Sequence, residues 1–183
     1  MLYSTKEDLL NDLKGIVDIQ KSGTIKIIDK DTLRNKKIDT LVYNAVFNKE
    51  TALKNMSRWL IRSCGNQLGV FSSSIQSLYE DMGKKQYKGF TVPAVNIRGL
   101  TYDVARSIFR AAKKNHVGAF IFEIARSEIG YTDQRPAEYA SAILAAAVKE
   151  GHEGPVFIQG DHFQINAKYY EKDKDAEINK VRG

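Results

Sequence analysis

The sequence contains a single cysteine, Cys64, among its 183 residues. One thiol cannot form an internal disulfide framework, and it suits a reducing compartment. Because no histidine lies near it in the sequence, we expect a buried thiol and not a nucleophile. No apolar run approaches the roughly 20 residues of a membrane span, and residues 1–10 lack the apolar core of a signal peptide. We therefore expect a cytoplasmic protein that does not associate with membranes.

Two nucleotide-binding signatures are also missing. No Gly-x-Gly-x-x-Gly pattern follows a predicted strand, and no Gly-Lys-Ser/Thr phosphate loop occurs. Both patterns bring backbone N–H groups against phosphates at the start of a helix. Their absence argues against a dinucleotide-binding protein and against a P-loop nucleotide-binding protein.

Positive charge is present but dispersed. The net charge is +6, with 15 Lys and Arg against 10 Asp and Glu in residues 1–89, and 13 against 12 in residues 90–183. The basic residues are mixed with acidic ones and form no Lys/Arg block, so a solvated surface explains them better than a nucleic-acid site. A hydrophobic content of 43% is that of a globular chain, and the length suffices for one domain with a core.

Residues 1–89 have mainly helical patterns. Residues 39–64 carry apolar side chains at helical spacing. One short strand is predicted at 24–28, and a further helix at 72–82. The polar segment 84–89 is the predicted linker, so we expect a mostly helical N-terminal extension that ends at residue 89.

From residue 90 the pattern changes to short apolar runs that alternate with amphipathic helices. Three such units follow one another, with strands at 90–97, 118–125 and 155–159 and helices at 101–115, 136–150 and 166–182. Alternation of this kind indicates βαβ units and a parallel sheet. A spacing of about 30 residues is typical of doubly wound folds and of (β/α)8 barrels. We therefore predict an α/β fold.

Polar residues follow each of the three predicted strands. They are Asn96 after the first strand, Glu123, Arg126, Ser127 and Glu128 around the second, and Asp161 and His162 after the third. Parallel α/β folds place their chemistry at the carboxyl ends of strands, so we expect these groups to meet at one edge. A carboxylate beside an imidazole supplies a proton-transfer group and a metal ligand.

The same residues also have purely structural interpretations. Asp161 could cap a helix while His162 points to solvent, and Asn96 could cap the helix that follows it. Ser127 could be an ordinary loop or capping residue. A site at the strand ends requires that these polar groups project from the edge and do not serve these local roles.

Two motifs stand in an order that resembles a known family. The first is VPAVN (Val92 to Asn96) on the first strand, and the second is Asp161-His162 after a later apolar strand. Together they resemble the class II, zinc-dependent fructose-bisphosphate aldolases, in which the first strand typically ends in a Pro-Ala-x-Asn-like motif and a later strand ends in Asp-His. The resemblance covers residues 90–181, and the segments SEIGYTDQRPAEYA and QGDHFQINAKYY resemble a divergent branch.

The resemblance implies a fold, a reaction and roles for four residues. Residues 90–183 would form the first three βα units of a (β/α)8 TIM barrel. The reaction would be reversible cleavage of fructose 1,6-bisphosphate into two triose phosphates by a lyase whose zinc ion stabilises an enediolate. Asp161 would be the acid/base and His162 a zinc ligand. Asn96 and Ser127 would contact the substrate.

The zinc ligands that the family requires are incomplete in this sequence. A catalytic zinc takes about three protein ligands, but His116 and His152 follow helices, at the opposite end of the sheet from His162. A whole barrel takes about 250 residues. We therefore expect these 183 residues to be inactive alone, with an open edge on the third strand. A missing C-terminal part, or a second copy in a homo-oligomer, would complete the site.

Two other functions remain open. The chain could be a non-catalytic interaction module whose basic helical surface, including Lys36, Lys37, Lys84 and Lys85, binds a partner. No aromatic-basic motif supports nucleic acid as that partner. The chain could also be an aldolase for another ketose phosphate, such as tagatose 1,6-bisphosphate, which differs in stereochemistry.

Overall fold

The structure, a computed structural model, describes residues 1–20 and 22–182 and has an α/β architecture. The strands are β1 (Val17–Ile19), β2 (Ile25–Ile27), β3 (Val70–Ser73), β4 (Ala94–Asn96), β5 (Ile121–Ala125) and β6 (Gly154–Asp161). The helices are α1 (Lys6–Leu13), α2 (Lys30–Thr32), α3 (Ile38–Phe47), α4 (Thr51–Gln67), α5 (Gln76–Gly83), α6 (Thr101–Lys114), α7 (Arg126–Thr132), α8 (Pro136–Lys149), α9 (Ala167–Lys172) and α10 (Lys174–Arg182). A π-helical turn at Leu33–Lys37 joins α2 to α3. The predicted α/β class is confirmed. Within the described ranges, no helix is long and apolar enough to cross a membrane.

Four strands form a parallel sheet in the order β3–β6–β5–β4. As the sequence predicts, β4, β5 and β6 are neighbours in chain order, and helices connect them. β6 lies inside the sheet and pairs with β5 on one side and with β3 on the other. All four strands therefore point their carboxyl ends at the same edge.

Helices cover one face of this sheet. Residues in register on parallel strands share a face, and the register places Val70, Phe122 and Val156 on the helix-covered face. All three side chains are buried there. α8 packs against β3, β5 and β6, and Phe109 of α6 places its ring against Phe122. α3, α4 and α6 also pack on α8. α8 is thus covered by the sheet and by three helices, which explains why Ser141–Val148 are small or apolar and all buried.

β3 is the main departure from the predicted fold. The sequence predicts a helix over residues 72–82, but Val70–Ser73 form a strand and α5 begins only at Gln76. Gly69, which has a φ of 75°, turns the chain out of α4 and into β3. Because β3 pairs with Gly154–Phe157 of β6, the open edge predicted for the third strand of residues 90–183 is wrong for that part of the strand.

Three smaller departures concern polar segments. Residues 126–135, which lie between a predicted strand and a predicted helix, contain the short helix α7. The predicted helix at 166–182 is divided at Asp173 into α9 and α10. The predicted strand at 24–28 exists as β2, and it pairs with β1, which the sequence did not predict.

The predicted N-terminal extension shares its core with the rest of the chain. β3 belongs to the parallel sheet, and α3 and α4 pack on α8. Arg58 of α4 also donates a hydrogen bond of 3.1 Å to Glu138 of α8. Residues on the two sides of position 89 form one hydrophobic core. The domain boundary at residue 89 therefore stays a prediction from the sequence.

Cys64 is fully buried in α4, as predicted. Burial raises the pKa of its thiol to about 12, because an apolar environment disfavours the thiolate. The thiol is therefore protonated at neutral pH and unsuited to act as a nucleophile.

Gly65 of α4 lies against β3 with no room for a side chain. A Cβ added there would stand 2.9 Å from the carbonyl oxygen of Val70. We expect Gly65→Ala to lower the free energy of unfolding by about 1–3 kcal/mol, because overpacking against backbone outweighs the gain in helix propensity. Gly130→Ala in α7 is the matched control, since no heavy atom lies within 4 Å of the added Cβ. Urea unfolding measures both variants, and equal effects would contradict this packing.

Candidate functional site

A row of polar side chains crosses the sheet on the face opposite the helices. Asn96 of β4 is in register with Glu123 of β5, and Glu123 is in register with Gln159 of β6. The side-chain amide of Gln159 donates a hydrogen bond to Glu123 Oε1. Because residues in register share a face, these three side chains, the polar row, project together near the carboxyl edge.

Asp161 and His162 lie beyond the polar row, at the end of β6. Asp161 is the last residue of the strand and is in register with Ala125. His162 has a left-handed backbone, with a φ of 52°. This conformation returns the imidazole to the side of its neighbour, so that His162 Nε2 lies 3.4 Å from Asp161 Oδ1. The His162 side chain is 75% exposed and the Asp161 side chain is 29% exposed, so a ligand can reach both.

Phe163 closes this turn by packing its ring over Gly160. A Cβ added to Gly160 would lie 2.6 Å from two ring carbons of Phe163. Only glycine therefore leaves room for the ring to fold back on the strand. The contact between Gly160 and Phe163 fixes the turn that carries His162.

Glu128 is a buried carboxylate at the ends of β4 and β5. Its Oε2 accepts hydrogen bonds from Ala125 N–H (2.8 Å) and from Asn96 Nδ2 (3.0 Å). Its Oε1 accepts from Arg98 Nε at 2.5 Å. The bond from the Ala125 backbone, with those from Asn96 and Arg98, outweighs desolvation and lowers the pKa of Glu128 to about 2.

The local capping roles considered for Asn96 and Asp161 do not apply. Leu100 is the N-cap of α6, the helix that follows Asn96. Asn166 is the N-cap of α9, the helix that follows Asp161. Ser127 lies in the first turn of α7 and is exposed, and its hydroxyl makes no hydrogen bond within residues 1–20 and 22–182.

The structure brings these residues to one edge, but in two groups. Asn96 is bonded to Glu128, and Asp161 lies beside His162. β5 separates β4 from β6, so the two groups are two strand spacings apart, or about 10 Å. Asp161 and Asn96 can therefore act on one molecule only if that molecule is extended.

Glu128 belongs to the candidate site although no motif of the sequence points to it. It stands among the polar residues after the second predicted strand, where the sequence gives it no role of its own. Glu128 is the third residue of α7 and accepts a hydrogen bond from the N–H of the N-cap residue Ala125. The sequence gives no signal for this contact, because Ala125 lacks the hydroxyl of a capping-box Ser or Thr. Glu123 and Gln159 have no motif, and only the register of the sheet identifies them.

Arg126, at the start of α7, holds the segment that follows β6 against this edge. Arg126 Nη1 donates hydrogen bonds to the carbonyl oxygen of Gln164 (3.1 Å) and to Glu177 Oε1 (3.3 Å). Glu177 of α10 is buried and also accepts from Asn166 N–H at 3.0 Å. The Asn166 backbone N–H and the Arg126 guanidinium lower the pKa of Glu177. These contacts fasten α9 and α10 beside the turn at Asp161.

A cavity of about 510 Å³ opens next to the polar row at the ends of β3 and β6. It is lined by Ser72–Gln76, Tyr79 and Phe157–Gln159. Hydroxyl groups and the Gln159 amide supply polar contacts, and the volume is in the range of small-molecule sites. The carboxyl edge thus offers space for a ligand as well as reactive groups.

The histidines are divided between the two ends of the sheet. His162 follows β6, whereas His116 precedes β5 and His152 precedes β6. Within residues 1–20 and 22–182, no three His, Cys, Asp or Glu side chains are grouped so that they could hold a metal ion. A catalytic zinc takes about three protein ligands. The described residues therefore do not fit a complete zinc site.

The lysines considered as a basic binding surface are partly neutralised. Lys37 Nζ lies 2.6 Å from Asp12 Oδ1, and Lys84 Nζ lies 3.8 Å from Asp81 Oδ1. Two of the four positive charges are balanced by neighbouring carboxylates in this way. This pairing weakens the surface as a footprint for an anionic partner.

Comparisons of the chain with protein-family models, with curated proteins and with solved structures find no match. The function of the carboxyl edge is therefore inferred from its residues and its geometry.

Gly160→Ala should disturb the turn that carries His162, because the new Cβ cannot coexist with the Phe163 ring. The ring is a side chain and can swing outward, so we expect a loss of stability of about 1 kcal/mol and a clear change in the His162 imidazole resonances. The double variant Gly160→Ala/Phe163→Ala removes the clash. Its His162 resonances should then match those of Phe163→Ala alone, and a Gly160→Ala spectrum identical to wild type would contradict the contact.

The stability of the protein at acidic pH should depend on Glu128. Its folded pKa of about 2 lies below the ordinary value of 4.5, so its stabilising effect is full above about pH 4.5 and is lost as the pH falls towards 2. Glu128→Gln should be less stable than wild type at pH 7. Urea midpoints should converge between pH 4.5 and 2, and a constant difference across that window would exclude a depressed pKa at Glu128.

Proposed function

We propose that the chain takes part in class II aldolase-type cleavage of a ketose bisphosphate, with fructose 1,6-bisphosphate as the first substrate to test. The observation that carries the proposal is Asp161 beside His162, 3.4 Å apart at the carboxyl end of a parallel strand. Parallel α/β enzymes place their chemistry at this edge. The VPAVN and Asp161-His162 motifs, in this order, support the same reaction.

Asp161 is assigned the proton transfer. In cleavage its carboxylate takes the proton of the C4 hydroxyl while the C3–C4 bond breaks. C4 becomes the aldehyde carbon of one triose phosphate, and the bonding electrons form an enediolate over C2 and C3. Protonation of that enediolate on C3 gives the second triose phosphate. In condensation, Asp161 returns its proton to the oxygen derived from the aldehyde.

His162, Asn96 and Ser127 are assigned supporting roles. His162 is proposed as one ligand of a zinc ion. The described residues hold no group of three ligands, so the proposal requires further ligands from another subunit or from additional polypeptide. Asn96 is proposed to hold the substrate at the end of β4. Ser127, exposed on the first turn of α7, is proposed as a second substrate contact.

We also propose that β4, β5 and β6 correspond to the first three strands of a (β/α)8 barrel. They are parallel neighbours in chain order, with helices on one face and the polar row on the other, as in a barrel wall. β3 pairs with Gly154–Phe157 at the edge of β6 that a fourth barrel strand requires. A barrel therefore forms only if β3 leaves this edge.

The test measures zinc content and cleavage of fructose 1,6-bisphosphate. It compares the polypeptide of 183 residues with a longer one that also includes the translation of the DNA immediately downstream. We expect tight zinc binding and cleavage only where further ligands are supplied. In the active form, Asp161→Asn should lower kcat by about 10²–10⁴ with little change in KM. Asp175→Asn, at an exposed carboxylate of α10, is the control and should leave both unchanged.

Each assignment has its own contrary outcome. Cleavage that survives Asp161→Asn removes the acid/base role. Tight zinc binding by the 183 residues after His162→Ala removes the ligand role. Absence of cleavage in both polypeptides rejects the proposed function. Tagatose 1,6-bisphosphate is assayed in parallel, and the ratio of the two kcat/KM values decides the substrate.

A further inference from the structure

We infer that Asn96 and Arg98 form a two-point recognition site for a ligand with a hydroxyl group next to an anionic group, and that Glu128 holds both side chains in place. The inference rests on the proposed function, because it specifies how the same edge recognises a phosphorylated sugar. Arg98 and Glu128 have no part in the proton transfer assigned to Asp161. Their role is recognition of the ligand and positioning.

Glu128 provides a fixed point for this site. Its side chain is 5% exposed and accepts hydrogen bonds from one backbone and two side-chain donors. An ionised carboxylate can only accept, and one that is buried with three donors has little freedom to rotate. The groups bonded to Glu128 are therefore held in defined orientations.

Asn96 is oriented by this contact. Because Glu128 only accepts, Asn96 must face it with Nδ2, at 3.0 Å. Its Oδ1 then points away from Glu128, and it accepts no hydrogen bond from the residues that the structure describes. Asn96 thus presents an acceptor on the polar row. A hydroxyl group of a ligand is the natural donor for it.

Arg98 is oriented in the same way. Its Nε donates to Glu128 Oε1 at 2.5 Å, yet its side chain is 64% exposed. Within residues 1–20 and 22–182, its terminal nitrogens Nη1 and Nη2 donate no hydrogen bond. Held by Nε, the guanidinium presents these two nitrogens to solvent. That geometry suits the oxygens of a phosphate or a carboxylate.

The two points are close together because both side chains bind one carboxylate. A ligand with a hydroxyl and a phosphate on neighbouring carbon atoms offers one group to each point. The charge of Arg98 is balanced by Glu128, so affinity comes from hydrogen-bond geometry and not from net charge. Asp161, about 10 Å away across β5, is not part of this recognition site.

The experiment is a calorimetric titration of the 183-residue polypeptide with glycerol 3-phosphate, inorganic phosphate and glycerol. We expect glycerol 3-phosphate to bind about tenfold more tightly than inorganic phosphate, and glycerol not to bind. Arg98→Met should weaken glycerol 3-phosphate binding by about tenfold or more. Asn96→Leu should reduce it to the level of inorganic phosphate.

Arg110→Met is the matched control. Arg110 is also an exposed arginine paired with a glutamate, Glu150, at 2.8 Å, but it lies near the opposite end of the sheet. Its replacement should leave binding unchanged. Equal losses in Arg98→Met and Arg110→Met, or inorganic phosphate binding as tightly as glycerol 3-phosphate, would overturn the inference.

The positioning role of Glu128 is tested separately. Glu128→Gln should weaken binding of glycerol 3-phosphate although residue 128 does not touch the ligand, and Glu128→Asp should restore part of the affinity. If Glu128→Gln does not fold, the Asn96 and Arg98 variants still decide the inference.

This titration needs neither zinc nor cleavage, so the two proposals fail independently. Binding as expected without aldolase activity would reject the proposed function alone. Cleavage with an unchanged KM in the Arg98→Met form of the active polypeptide would reject the recognition site alone.

Discussion

The pairing of β6 on both sides is the constraint on which the rest of this structure depends. β6 is eight residues long, and its backbone is hydrogen-bonded to β3 and to β5. Val156 on this strand is buried against the helices, while Asp161 ends the strand at the carboxyl edge. One strand thus connects the core to the candidate site. The position of Asp161 is set by the sheet and not by a loop, which is the condition for a precise catalytic group.

A second constraint is the charge of Glu128. A carboxylate taken out of water costs several kcal/mol unless donors compensate it. Here the donors come from the end of β5, from the end of β4 and from the residues after β4. The ends of β4 and β5 are therefore joined by charge-assisted hydrogen bonds. Apolar packing alone would fix their spacing less exactly, because it has no directional preference.

The helices and strands with a strong local period could be predicted from the sequence. α6 and α8 carry apolar positions at helical spacing, and β4 and β5 lie within the predicted apolar runs, while β6 extends beyond its predicted run at both ends. β3 could not be predicted, because a strand of four residues is too short to show a clear alternation of apolar and polar residues. Its partner, β6, also lies about eighty residues further along the chain. The polar composition of α7 does not predict a helix, although Ile129 is buried.

The candidate site divides in the same way. The carboxyl ends of parallel strands share an edge, so the sequence could indicate which polar residues lie there. It could not indicate which of them touch. The contact of Asn96 with Glu128 depends on the register of β4 against β5. The contact of Asp161 with His162 depends on a left-handed backbone conformation, which is uncommon for residues other than glycine.

These two groups of residues have complementary physical properties. Asn96 and Arg98 are held by the buried Glu128 carboxylate before any ligand binds, so little entropy would be lost on binding. His162 is exposed and Asp161 is partly exposed, and the turn over Gly160 holds His162. Recognition of a ligand requires side chains that are already in place, as Asn96 and Arg98 are. Proton exchange with a substrate requires side chains that the substrate can reach, as Asp161 and His162 are. The roughly 10 Å between them excludes a compact ligand from using both and favours an extended one, such as an open-chain sugar phosphate.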